Sequence, residues 1–198
     1  MTTDGGATWN YTPITMNSVQ TDIKFYDENI GIAVGSKYSI ARTTDGGLSW
    51  QNIYYGGGTY NLVELSLPGY PYGYAFGKNF IFKTEDGGLN WELLDVPALS
   101  YLTGYFIHPD TGWTAGNGFI KKTTDGGLTW TDLYSGGGYF YSICFATADT
   151  GWACGTGGMV GRTTDGGLTW TPVPSGGTGY LTKLFFINTK EGFVGGQY

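Results

Sequence analysis

The sequence predicts an all-β chain made of repeated four-stranded antiparallel units, and three observations carry that expectation. An octapeptide occurs five times: Thr2-Thr-Asp-Gly-Gly-Ala-Thr-Trp9, Thr43-Thr-Asp-Gly-Gly-Leu-Ser-Trp50, Thr84-Glu-Asp-Gly-Gly-Leu-Asn-Trp91, and again at residues 123–130 and 163–170. Its aspartates stand at 4, 45, 86, 125 and 165, in steps of 41, 41, 39 and 40 residues. At such a period each repeat is one supersecondary unit that buries its apolar face only against its neighbours. The composition agrees: 36 glycines, 16 tyrosines, 11 phenylalanines and 7 tryptophans, with only 13% charged residues, suit short strands and tight turns. No segment has the period of an amphipathic helix or the length to span a membrane as a helix.

The elements of one unit follow in order along residues 139–173. An apolar and aromatic run at 139–146 makes the first strand, and Thr147-Ala-Asp-Thr-Gly151 the first turn. A short strand at 152–155, a turn at Gly157-Gly158 and a third strand at 159–164 lead into the octapeptide, after which residues 168–173 close the unit. The same pattern fits residues 22–53, 61–94 and 101–133. In the octapeptide the aspartate can accept backbone N–H groups of its turn, and the two glycines reach backbone angles that a Cβ penalises. The tryptophan is expected to pack between neighbouring sheets. Asp4, Asp45, Asp86, Asp125 and Asp165, with Trp9, Trp50, Trp91, Trp130 and Trp170, therefore read as structural staples. Catalysis needs one asymmetric site, whereas these are five equivalent ones.

The chain begins inside a unit, at its third turn, and ends after a second strand. Joining residues 179–198 to residues 1–13 completes a fifth unit beside those at 18–53, 60–94, 100–134 and 139–173. The expectation is a single domain and a monomer: a five-bladed β-propeller of four-stranded antiparallel blades, closed by pairing N-terminal with C-terminal strands in one blade. Such closure removes open edges. The split blade has only Met1 where the others have Ile40-Ala-Arg42, Ile81-Phe-Lys83 or Ile120-Lys-Lys122, so its edge is weak. The alternatives are a fragment of a larger ring, or copies associating through the split blade.

The octapeptide resembles the Asp-box, or BNR, repeat of sialidases and xyloglucan-degrading glycosidases. Together with Gly31-Ile-Ala-Val-Gly35, Gly112-Trp-Thr-Ala-Gly116, Gly151-Trp-Ala-Cys-Gly155 and Gly192-Phe-Val-Gly-Gly196, the chain is most similar to the repeats of photosystem II stability/assembly factor-like proteins. The resemblance implies the propeller fold and a protein-binding scaffold role. It transfers no residue-level site.

A net charge of −6 and a pI near 4.5 leave no basic stripe for a phosphate backbone, so no nucleic-acid partner is expected. In a propeller the second turns and the connections into the next blade share one face, which here is rich in tyrosine and glycine. Tyr38, Tyr60, Phe80, Tyr101, Phe119, Tyr139 and Tyr180 are the candidate ligand-face residues, with Met159 and Tyr198 nearby. Asp22, Glu64, Thr103, Ser142 and Lys183 stand nine positions before the first-turn glycines and are expected to line a central channel, there to hold a small ligand, an ion or water, or simply a lysine–carboxylate pair. Phe25, Leu67, Phe106, Phe145 and Phe186, six positions before, are expected to form a packed inner ring.

An enzyme is disfavoured. The resemblance to sialidases implies three arginines on a substrate carboxylate, but the chain has only Arg42 and Arg162. The remaining carboxylate pair, Asp22 with Glu64, has no marked proton donor, and the lone His108 falls on the opposite face. No cofactor or metal is expected. Cys144 and Cys154 stay open between a disulfide and two small buried residues. The reading is a non-catalytic binding or scaffold module with a protein or glycan partner. The alternatives are a multivalent glycan-binding propeller, a glycosidase, or an engineered ring without ligand. Location is left open: no leader precedes the first repeat, and a domain excised from an exported or surface protein would fit.

Overall fold

A computed structural model describes the chain except residues 13, 15–17, 55–58, 97–99 and 198. Four antiparallel sheets follow one another along the sequence. The first has β1 (Gln20–Phe25), β2 (Gly31–Gly35), β3 (Ile40–Thr43) and β4 (Gln51–Tyr54) in that order. The second repeats it with β5 (Leu62–Gly69), β6 (Tyr72–Gly77), β7 (Phe80–Thr84) and β8 (Glu92–Leu93). The next two units fuse into one six-stranded sheet of β9 (Tyr101–Phe106), β10 (Gly112–Thr123), β11 (Thr131–Phe145), β12 (Gly151–Gly155), β13 (Val160–Thr163) and β14 (Thr171–Val173). The last is a two-stranded sheet of β15 (Tyr180–Phe186) and β16 (Gly192–Gln197).

The fusion departs from the expected turns. Asn117-Gly118-Phe119 runs within β10, and the connection Tyr134-Ser-Gly-Gly-Gly-Tyr139 runs within β11. The cause is pairing across them, Asn117 with Tyr139 and Phe119 with Ser135, which turns two loops into a continuous ladder.

The octapeptide turns share one hydrogen-bond pattern. Thr43 Oγ1 donates to Asp45 Oδ1 at 2.7 Å and accepts from Gly47 N at 3.0 Å, while Ser49 N donates to the same carboxylate at 2.9 Å. Gly46 (φ 69°) and Gly47 (φ 89°) hold left-handed backbone that L side chains resist. The Gly46 N–H donates to Asn29 O, tying the third turn of the blade to its first. Gly87 to Pro71, Gly126 to Asp110 and Gly166 to Asp149 repeat the tie. Because the turn folds back over its own sheet, Trp50, Trp130 and Trp170 lie edge-on to Phe25, Phe106 and Phe145 of their own blade, with centroids 6.0–6.2 Å apart. Trp91, Trp130 and Trp170 also pack against core clusters shared by two neighbouring blades, as expected of indoles set between sheets.

Also between sheets lies the set of rings expected to form an inner ring. Phe106 stacks on Tyr74, Phe145 on Trp113 and Phe186 on Trp152, at centroid distances of 3.5, 3.5 and 3.6 Å. Each pair joins the first strand of one blade to the second strand of the blade before. At the first joint the pair is aliphatic, with Leu67 against the cluster containing Ile32. Polar bonds seal the same joints: Arg42 Nε and Trp113 Nε1 donate to the carbonyls of Gly87 and Gly166, in the octapeptide of the following blade, at 2.7 and 2.9 Å. Tyr74 Oη donates to Pro109 O in the first turn of its following blade at 2.7 Å, with the octapeptide carbonyl of Gly126 at 3.3 Å.

The expected closure does not form among the described residues. β15 pairs only with β16, every residue of β16 that is described is exposed, and residues 1–12 carry no strand. Met1 and Asn10 hydrogen-bond to each other through both backbone groups. The N-terminal segment packs instead on the first blade, where Met1, Thr12 and Ile14 line a cavity with Ile23, Phe25 and Trp50.

Candidate functional site

The first strands of successive blades lie side by side, and the polar residues placed at the axis are spent largely on joining them. Asp22 Oδ2 accepts from Leu65 N (2.8 Å), Thr103 Oγ1 from Ile143 N (3.3 Å) and Ser142 Oγ from Leu184 N (3.2 Å). Glu64 accepts from Thr103 Oγ1 at 2.8 Å and pairs with Lys183 Nζ at 2.6 Å, with Lys24 Nζ 4.0 Å away. An ammonium cannot accept a backbone N–H, so Lys183 ends the ladder and reaches to Glu64 instead. Glu64 is only 6% exposed, so the two cations offset the cost of burying its charge. A cavity of about 250 Å³ lies here, lined in part by Lys24, Glu64, Ser142 and Lys183. Among the described residues no three His, Cys, Asp or Glu side chains come together.

The predicted ligand face divides in two. Tyr38 N donates to Tyr60 O and Gly158 N to Gly179 O, so second turns and inter-blade connections do share this face. Phe80, Tyr101 and Phe119, however, are buried at 7%, 0% and 8% exposure and belong to the hydrophobic core, because their strands turn them into the gaps between blades. Tyr38 is half-buried and edge-on to Phe80. Tyr60, Tyr139 and Tyr180 remain exposed, Tyr60 with Lys78 Nζ 6.0 Å above its ring. Leu99, the Tyr55–Gly58 part of the first connection and Tyr198 lie outside the described residues.

Tyr139 and Tyr180 meet in one cleft. With Tyr141, Thr156, Thr182 and Gln197 they line a depression of about 340 Å³ between the fourth blade and the β15–β16 sheet. The rings of Tyr139 and Tyr141 are parallel within 8°, and Tyr180 stands edge-on to Tyr141 at 6.4 Å. The cleft has three phenol rings, two threonine hydroxyls and an amide, and no formal charge. It can stack on and hydrogen-bond a neutral ligand, and it holds nothing to neutralise a phosphate. Tyr141 was missing from the sequence reading. Its signal was there: it stands two residues after Tyr139, on the same face of one strand.

The octapeptide carboxylates are fixed by their own turns. Hydrogen bonds from Ser49, Thr129 and Thr169 hold Asp45, Asp125 and Asp165 down at about 2, and those from Thr8 and Thr2 push Asp4 lower still. Cys144 and Cys154 are both free, and burial pushes each thiol up to about 12. His108 stands exposed in a first turn, with Nδ1 3.9 Å from Asp110.

Repeated antiparallel sheets that share one octapeptide turn define a propeller-like BNR-repeat module. The chain belongs to the family of the photosynthesis system II assembly factor YCF48, whose model matches residues 2–100. Among solved structures it is similar to YCF48 bound to D1 peptide (17% identity, TM-score 0.56, 94% of each chain covered). It is equally similar to YCF48 from Cyanidioschyzon merolae (18% identity, TM-score 0.57, 95% of each chain). An ancestral GH74 enzyme matches at 15% identity and TM-score 0.62, over 84% of this chain and 26% of that one. At these identities the likeness is one of fold. No curated protein matches the sequence.

Proposed function

We propose that this chain is a non-catalytic binding module that takes an extended peptide segment of a partner protein in the Tyr139–Tyr141–Tyr180 cleft. The observation that carries the reading is the cleft itself: an aromatic, uncharged groove with hydroxyls at its rim suits a segment whose apolar side chains stack on rings. A YCF48 relative has been solved bound to D1 peptide, which supports a peptide as the class of ligand. The axial carboxylates argue against glycoside chemistry, since Glu64 is committed to Lys183 and Thr103, and Asp22 to backbone amides. Stacked tyrosines also suit sugar rings, and a glycan is the second reading.

Fluorescence anisotropy with a labelled D1 peptide, beside a displayed library of random peptides and a glycan array, tests the proposal. Binding of D1 peptide or of selected library peptides, lost on Tyr139→Ala/Tyr180→Ala with the circular dichroism unchanged, is the expected result. Glycan binding with no peptide retained would overturn it in favour of a lectin, and silence in every assay would overturn both.

A further inference from the structure

The first strands carry a second set of axial residues: Lys24, Ser66, Tyr105, Cys144 and Phe185. Each stands two positions after Asp22, Glu64, Thr103, Ser142 or Lys183, and so falls on the same face of its strand. Ser66 is spent on a joint, its Oγ accepting from Phe106 N at 2.7 Å. The other four line the axial cavity of about 250 Å³ at which Glu64 is buried. That volume falls below the roughly 300–1,000 Å³ of sites for drug-sized ligands, so the cavity suits a smaller molecule.

Charge and hydrogen bonding in this cavity do not balance. Glu64 is served without Lys24: Oε1 accepts from Lys183 Nζ at 2.6 Å and Oε2 from Thr103 Oγ1 at 2.8 Å. Lys24 Nζ stands 4.0 Å from Oε1, beyond hydrogen-bond reach. Neither its ammonium nor the Tyr105 hydroxyl donates a hydrogen bond to any group among the described residues, and Lys183 keeps N–H groups to spare. Asp22, the other axial carboxylate, does not line the cavity and accepts from the amides of Ile23 and Leu65. Two ammonium groups therefore face one carboxylate, an excess of one positive charge in a chain whose net charge is −6. Beside these donors the walls are apolar, from Ile143, Leu184, Phe185 and Phe186.

We propose that the axial cavity binds a small monoanionic carboxylate with a short apolar body, its oxygens held by Lys24, Lys183 and Tyr105. One negative charge restores neutrality, whereas a doubly charged anion would set a surplus against Glu64 and meet apolar walls where it needs further donors. A neutral ligand would leave Lys24 without a partner. The apolar body packs on the phenylalanine and aliphatic walls, which a bare inorganic anion leaves unused. This cavity shares no lining residue with the tyrosine cleft, so the inference stands whatever that cleft binds.

A magnetic-resonance titration of the isotope-labelled full chain at constant ionic strength tests this with benzoate, isovalerate, benzamide and inorganic phosphate. The expected result is saturable shifts of the Lys24, Tyr105, Cys144 and Lys183 amides with both carboxylates, and none with benzamide or phosphate. Lys24→Met should weaken benzoate binding about tenfold or more, and Tyr105→Phe about fivefold, the ordinary costs of a charged and a neutral hydrogen bond. Lys190→Met, at an exposed turn outside the cavity, should leave binding unchanged. Lys24 is half-buried and makes no hydrogen bond, so its variant should keep the fold, and Tyr105→Phe, which removes a single oxygen, gives an independent reading. Absence of saturable shifts with either carboxylate overturns the proposal. Benzamide or phosphate binding as tightly as benzoate overturns it too, as does benzoate binding that is insensitive to both cavity substitutions.

Discussion

Trp113 offers a direct measure of what an inter-blade joint contributes. Its side chain is fully buried, its indole stacks on Phe145 at 3.5 Å, and Nε1 donates to Gly166 O at 2.9 Å. Trp152 occupies the same position one blade later, is 4% exposed and stacks on Phe186 at 3.6 Å, but its indole has no acceptor among the described residues. Replacing either by Phe keeps a ring in the stack and removes part of its volume, at a cost of about 1 kcal/mol. Only Trp113→Phe also loses a hydrogen bond and strands a buried carbonyl, which adds about 1 kcal/mol. Trp113→Ala, which empties the joint, should cost about 3–5 kcal/mol. With a urea slope of about 2 kcal/mol per molar, the expected falls in midpoint are about 0.5 M for Trp152→Phe, about 1 M for Trp113→Phe and about 2 M for Trp113→Ala. Urea unfolding followed by near-ultraviolet circular dichroism, at one fixed protein concentration, reads all three. Equal shifts for the two Phe variants would refute the claim that the octapeptide carbonyl seals the joint.

The other expectations concern the turns and thiols. Gly167→Ala should cost about 3 kcal/mol, because the backbone is left-handed (φ 95°) and the new Cβ would stand 2.8 Å from Leu133 Cδ1; Gly157→Ala, at φ 68° in open space, should cost about 1 kcal/mol, and comparable urea midpoints would refute the packing half of this account. Asp45, Asp125 and Asp165 have carboxyls depressed from 3.8 to about 2, so the stability they contribute is complete above the unfolded value and lost as pH falls through about 4 to 2. The melting temperature should fall over that window, and Asp125→Asn should shrink the fall. Cys144 and Cys154, with thiols at about 12, should resist a thiol reagent at pH 8 in the native protein and both react once it is unfolded in urea; a rapid native reaction would contradict their burial.

The repeating units were legible because turn chemistry is local. Thr, Asp and two glycines at fixed spacing close the same hydrogen bonds wherever they occur, as the matching distances at Asp45, Asp125 and Asp165 show. The polar positions at the axis were also legible, since strand alternation alone gives them a common phase. Their partners were not: that Thr103 bonds Glu64 while Lys183 crosses to the same carboxylate depends on how far each blade turns from the last. Burial of Phe80, Tyr101 and Phe119 was equally illegible. A ring beside a turn has the same sequence signature whether it points to solvent or into the gap between blades, and here the gap takes all three.

Sequence by itself determined the repeat: its short antiparallel strands and its stapled third turn, set by contacts within about 40 residues. Only tertiary structure decided how units meet. The stacks of Phe106, Phe145 and Phe186 reach into the preceding blade, and the cleft of Tyr139, Tyr141 and Tyr180 exists only where the fourth blade meets the β15–β16 sheet. Hydrogen bonds of a turn are fixed by neighbours in the chain, whereas the packing of a joint is fixed by side chains a full repeat apart.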